Sequence, residues 1–187
     1  MKSLDVSVVL RFRDHEHLVG RASRRIAEYF SALGHSFEII AVDEGSGDNS
    51  HAVLALLRQE LGCLEVVVGK GYGAGAAKSQ GRVMILVDLE TISEELSPSL
   101  TKALSQVWSG EIDLTLVAEH LLVCNRGQSG ELIARGLAKR SSERVLLQQA
   151  QASGLVTHSY CPEPRTGSGL SRVLGALMPR SGDISRA

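Results

Sequence analysis

Cysteine is scarce in this sequence. Cys63, Cys124 and Cys161 stand apart with no Cys-x-x-Cys spacing, which excludes a disulfide framework or a thiolate zinc site and reads as three small apolar fillers in a reducing environment. A surplus of positive charge is also missing. Twenty Lys and Arg against 21 Asp and Glu leave a net charge of -1, so there is no reserve of the kind that neutralising a phosphate backbone requires, and nucleic acid is not an expected partner. No apolar run approaches the roughly 18 residues of a bilayer span. The opening Met1-Lys2-Ser3-Leu4-Asp5 passes straight into a strand pattern with no signal-peptide core, so the expected location is the cytoplasm, with at most peripheral contact at a membrane surface. Internal repeats are lacking as well.

What is present suffices for a core. With 43% apolar and 22% charged residues in 187, the chain fits a single domain over residues 1–162 that folds without disulfides or metals. Residues 163–187 read as a linker around Pro164 and Gly167, a short amphipathic helix carrying Leu170, Val173, Leu174 and Leu177, and a disordered tail.

Along that domain strands and helices alternate. Val6 to Phe12 is apolar without helical period, and Leu18, Ala22, Ile26 and Phe30 then repeat at helical spacing. Phe37 to Val42 is a second strand, followed by a turn-rich Asp43–Ser50 cluster and a helix to about Leu61; Leu64 to Val68 is a third strand. A glycine-rich loop over Gly69–Gly75 leads to a fourth strand, Val83 to Val87. The second half continues with a helix from about Glu94 to Trp108, strand material from Leu114 to Cys124, helices near 129–138 and 142–153, and a last strand over Val156–Tyr160. Strands separated by helices imply βαβ units and a mostly parallel sheet, an α/β sandwich of three layers.

In such a sheet ligands bind beyond the carboxyl ends of the strands. Three acidic clusters fall there: Arg13-Asp14-His15-Glu16 after the first strand, Asp43-Glu44-Gly45-Ser46 after the second, and Asp88-Leu89-Glu90 after the fourth. Carboxylates so placed can accept hydrogen bonds from a base or ribose, or hold a divalent cation that grips a diphosphate.

Ser7-Val8-Val9-Leu10, Arg13-Asp14-His15-Glu16 and Phe37-Glu38-Ile39-Ile40-Ala41-Val42-Asp43-Glu44-Gly45-Ser46-Gly47-Asp48 together resemble the opening of family 2 glycosyltransferases of the GT-A fold, the group that includes dolichyl-phosphate mannose synthases. The resemblance covers residues 4–90 well and the remainder loosely. It implies a GT-A-like, Rossmann-like fold that binds a UDP- or GDP-linked sugar and transfers the sugar with inversion, assisted by Mn2+ or Mg2+. Asp14 and Asp43, with Glu16 and Glu44 beside them, would then cradle the nucleoside. Asp88 and Glu90 would hold the metal, with His158 as a further ligand, and Lys78 or Lys70 would face the diphosphate. Glu143, at the start of a late helix, would be the base for a hydroxyl acceptor. Homo-oligomers are left open.

The sequence departs from that pattern at four places. The metal motif Asp-x-Asp has become Asp88-x-Glu90, and Arg11 replaces a proline after the first strand. Only residues 76–82 separate the glycine-rich stretch from the fourth strand, where the family has a full helix, and the chain is expected to lack the usual acceptor-binding half and membrane anchors. An inactive relative that binds partners without transferring sugar is therefore the alternative. Gly71-x-Gly73-x-x-Ala76 is also a loose dinucleotide fingerprint, but its crossover is too short, and Ala77 before Lys78-Ser79 rules out a P-loop. Glycines here can equally serve a positive φ or close packing. His15 and His17 flank Glu16 on different faces of a helix start and do not make a metal pair.

Overall fold

A computed structural model describes residues 4–89, 96–117, 121–138 and 142–160. The elements run β1 (Val6–Phe12), α1 (Glu16–Ala32), β2 (Phe37–Asp43), α2 (Ser50–Glu60), β3 (Leu64–Val68), α3 (Gly73–Lys78), β4 (Val83–Asp88), α4 (Leu96–Ser109), β5 (Leu114–Val117), β6 (Leu121–Asn125), α5 (Arg126–Ala138), α6 (Glu143–Ala152) and β7 (Thr157–Tyr160). The seven strands form one sheet in the order β3-β2-β1-β4-β6-β5-β7. β1 pairs in parallel with β2 and β4, β2 with β3, and β5 with β7, while β6 runs antiparallel between β4 and β5.

Helices cover both faces, which is why the central strands read as unbroken apolar runs. On one face Val6, Val8 and Leu10 of β1 and Ile39 and Ala41 of β2 pack under α1, α2 and α4, through Val19, Ile26, Phe30, Leu54, Leu57 and Leu104. On the other, Val9, Ile40, Val42, Met84 and Leu86 pack under α3, α5 and α6, through Ala76, Ile133, Leu146 and Ala150. The expected three-layer α/β sandwich is the observed fold.

One local reading gains detail and another requires correction. Leu114 to Cys124 holds two antiparallel strands, β5 and β6, with Leu114 opposite Cys124. The glycine-rich stretch Gly69–Gly75 is a loop only to Tyr72, and its second half opens the short helix α3. Gly75 sets how closely that helix sits, because a Cβ there would stand 2.4 Å from Val9 Cγ1 and 2.8 Å from Val42 Cγ2. The segment 163–187, Cys161 and Glu90 lie outside the described residues.

The chain steps from β1 to β2 to β3 in one direction and then returns to the other side of β1 for β4. Between β1 and β4 the connections leave in opposite directions, and this switch point opens a crevice at the carboxyl edge.

Candidate functional site

At the switch point the last residues of β1 and β4 face each other. Arg11 and Asp88 are register partners in the parallel pair. Side chains alternate along a strand, so both project on the α3, α5, α6 side with Val9 and Leu86. Arg11 Nε donates to Asp88 Oδ2 at 2.8 Å, and Nη2 donates to the same oxygen. Tyr72, just before α3, lies under the guanidinium, with Arg11 Cζ 4.7 Å from the ring centroid. Burial is the largest single influence and opposes the charge on Arg11, but the hydrogen bonds to Asp88 together with the coulombic pull of Tyr72, Asp88 and Glu44 outweigh it, and its pKa is raised.

Arg11 and Tyr72 line a cavity of about 450 Å³ whose walls also include Arg13, Glu44, Lys70 and Glu143. Glu44 accepts a hydrogen bond from the Gly71 amide, where φ is +65°. Glu143 arrives from the first turn of α6, so the expected base candidate and the expected nucleotide-side Glu44 share one cavity. Tyr72 is 4% exposed, and its hydroxyl has no hydrogen-bond partner among the described residues. Burial raises the Tyr72 pKa despite the adjacent Arg11, which keeps the hydroxyl a donor.

Asp14, Glu16 and Asp43 are placed at the same edge but work largely on their own loops. The Asp14 amide donates to Ser46 Oγ at 3.0 Å, and Asp14 Oδ1 accepts from the Gly47 amide at 2.6 Å. Likewise the Glu16 amide donates to Asp48 Oδ2 and Glu16 Oε2 accepts from the Asn49 amide, both at 2.9 Å. Asp43 is 4% exposed; its Oδ1 accepts from the amides of Gly45 and Ser46 and from Ser46 Oγ, and its Oδ2 stands 3.6 Å from His51 Nδ1. These reciprocal bonds tie the β1–α1 loop to the β2–α2 loop and satisfy amides at helix starts that would otherwise lack partners.

Lys78 and His158 lie away from the carboxyl edge between β1 and β4. Lys78 sits at the far end of α3, which runs back down the sheet from Tyr72, and it pairs with Glu65 of β3. Lys70 lines the cavity. His158 lies on the edge strand β7, in register with Thr115 and with its ring against Tyr160 at 4.5 Å. β7 is three strands from β4, on the order of 14 Å at ~4.8 Å per strand, so His158 cannot share a metal with Asp88. Among the described residues no group of three or more His, Cys, Asp or Glu stands where it could hold a metal ion. Asp88, the described half of the expected metal pair, is held at Oδ2 by Arg11.

Sequence reasoning missed Tyr72 and gave Arg11 no role beyond a departure from pattern. The available signal was a bulky phenol among glycines in Gly69-Lys70-Gly71-Tyr72-Gly73, beside a strand end carrying two arginines.

No family model matches the chain. The undecaprenyl-phosphate 4-deoxy-4-formamido-L-arabinose transferase of Pseudomonas paraeruginosa is 32% identical over 111 residues, covering 54% of this chain and 32% of that protein. The protein of the same name from Pseudomonas syringae pv. syringae is 32% identical over 111 residues, covering 54% and 33%. The chain thus spans about a third of the length of the curated relatives it matches. Among solved structures, a mannosyltransferase from Pyrobaculum calidifontis in complex with GDP-Man and Mn2+ superposes with a TM-score of 0.67 at 12% identity, over 89% of this chain and 59% of the other. Mannosyl-3-phosphoglycerate synthase from Rubrobacter xylanophilus does so with a TM-score of 0.62 at 16% identity, over 93% and 71%. The chain is thus similar in sequence to these curated transferases over part of its length and shares the GT-A fold of these solved glycosyltransferases.

Proposed function

We propose that this chain is a donor-binding glycosyltransferase domain that holds a UDP- or GDP-linked sugar in the crevice between the ends of β1 and β4 and transfers the sugar with inversion. One observation carries the reading: Arg11, Arg13 and Lys70 converge with Glu44 and Glu143 on one cavity at the topological switch point. Cations at that edge suit a diphosphate, and the carboxylates suit sugar or ribose hydroxyls. In the transfer an acceptor oxygen bonds to the anomeric carbon while the bond from that carbon to the diphosphate oxygen breaks, and the nucleoside diphosphate leaves with the electron pair.

The acceptor class is taken from the curated relatives, whose names specify undecaprenyl phosphate. A phosphate oxygen attacks without losing a proton. With a hydroxyl acceptor, Glu143 is the group that would take the proton. No helix among the described residues is long and apolar enough to cross a membrane. Mn2+ or Mg2+ assistance, expected from the resemblance and consistent with the Mn2+-bound neighbour, has in Asp88 its described ligand candidate, and Arg11 already occupies that carboxylate.

The Arg11–Asp88 pair also favours a second reading, a domain that binds the donor without turning it over. Release of UDP or GDP from a panel of nucleotide sugars, measured with and without a short-chain polyprenyl phosphate, separates the two. Acceptor-dependent release supports transfer. Nucleotide binding with no release across the panel supports the binding domain.

A further inference from the structure

We propose that Arg11, steadied by Asp88 and joined by the Tyr72 hydroxyl, supplies the positive charge and the donors that grip the donor's diphosphate, so that nucleotide binding by this chain is independent of divalent metal. The inference rests on the reading of the cavity as a diphosphate site.

A divalent ion needs free carboxylate oxygens, and Asp88 Oδ2 already takes both Nε and Nη2 of Arg11. A guanidinium carries five donors in a planar fork. Two of Arg11's face Asp88, while the Nη1 edge makes no hydrogen bond among the described residues and the side chain is 32% exposed. The ion pair therefore fixes the direction of the fork and leaves one edge for a ligand. The Tyr72 ring beneath it adds a second restraint.

The Tyr72 hydroxyl is an independent pointer to an oxygen-rich ligand. The hydroxyl is buried and has no hydrogen-bond partner among the described residues, Tyr72 lines the same cavity, and a buried O–H left unpaired costs about 1–3 kcal/mol. A phosphate oxygen entering the cavity would satisfy it. Lys70 and Arg13 line the same space and add charge.

The test is calorimetric titration of the chain with UDP and with GDP, first in EDTA and then in Mn2+, on wild type, Arg11→Ala, Arg11→Lys and Tyr72→Phe, with thermal unfolding to establish that each variant folds. Expected are dissociation constants that agree within about twofold in the two buffers, and losses of roughly tenfold or more for Arg11→Ala, less for Arg11→Lys. Tyr72→Phe, which removes a single oxygen, weakens binding several-fold and carries the test if Arg11→Ala fails to fold. Binding only in Mn2+, or binding that Arg11→Ala strengthens in Mn2+ by freeing Asp88, overturns the inference and leaves the donor site standing. Binding unaffected by both Arg11→Ala and Tyr72→Phe also overturns it. No binding of either nucleotide in either buffer overturns the inference and the donor-site reading together.

Discussion

Arg11 and Asp88 are neighbours across two parallel strands, and two guanidinium nitrogens of Arg11 converge on one oxygen of Asp88 at the mouth of the β1–β4 crevice. The pair is only partly exposed, 32% and 15% at the side chains. Breaking it from one side should therefore cost more than removing it. Arg11→Met is expected to destabilise the domain by about 1–3 kcal/mol, and the double variant Arg11→Met, Asp88→Leu by less. A double-mutant cycle from urea denaturation reads the coupling directly; additive losses would mean the pair contributes nothing.

Glu143 faces the same cavity as Arg11 and Lys70, so its charge opposes an incoming diphosphate. Glu143→Gln is expected to tighten UDP or GDP binding by a few-fold. If Glu143 is also the base, the variant loses transfer to hydroxyl acceptors and keeps transfer to phosphate acceptors. Weakened nucleotide binding would place Glu143 on the side of donor recognition instead.

Gly75 is the point where α3 rests on β1 and β2. Gly75→Ala puts a methyl group against Val9 and Val42, and overpacking of this kind typically costs about 1–3 kcal/mol. A fall in the urea midpoint with an unchanged m-value checks it, whereas an unchanged midpoint would mean that α3 lifts off freely.

Much of the fold was legible because the strands are buried on both faces. β1 and β3 coincide with the apolar runs Val6–Phe12 and Leu64–Val68 at both ends. α3 was hidden because Gly73 and Gly75 are poor helix formers, and its helicity comes from packing on Val9 and Val42, which local sequence does not encode. The β5–β6 reversal was hidden because Ala118-Glu119-His120 contains none of the usual turn residues. At the site, Asp14, Asp43, Glu44, Asp88 and Glu143 all come to the carboxyl edge, since strand ends and helix starts put them there. That Arg11 would claim Asp88 depends on cross-strand register, which no local pattern contains.

Asp5 receives hydrogen bonds from the hydroxyl and the amide of Ser36, and these hold its pKa below the ordinary aspartate value. A depressed carboxylate contributes stability that is present above its unfolded pKa and is lost as pH falls through the folded value. Ser36→Ala should raise the Asp5 pKa in an NMR titration and flatten the acid limb of the stability profile. An Asp5 pKa unmoved by the substitution would assign the depression to His35 and Arg82.

The thiols should differ in reactivity. Cys124 is fully buried and its pKa is pushed up to about 12, whereas Cys63 is half-buried and less protected. Thiolate is the reactive form, so iodoacetamide at neutral pH should label Cys63 well before Cys124 in the native protein, as peptide mass mapping would show. Equal labelling would indicate that the β4–β6 region opens readily.

The crevice between β1 and β4 as the nucleotide site is the central claim, and amide chemical-shift mapping of the 15N-labelled chain during titration with UDP and GDP tests it most directly. The account predicts perturbations clustered at Arg11, Arg13, Glu44, Gly71 and Tyr72. Perturbations confined to the separate cavity lined by Ala77 of α3 and by Arg126 and Gly130 of α5, or none at saturating nucleotide, would contradict it.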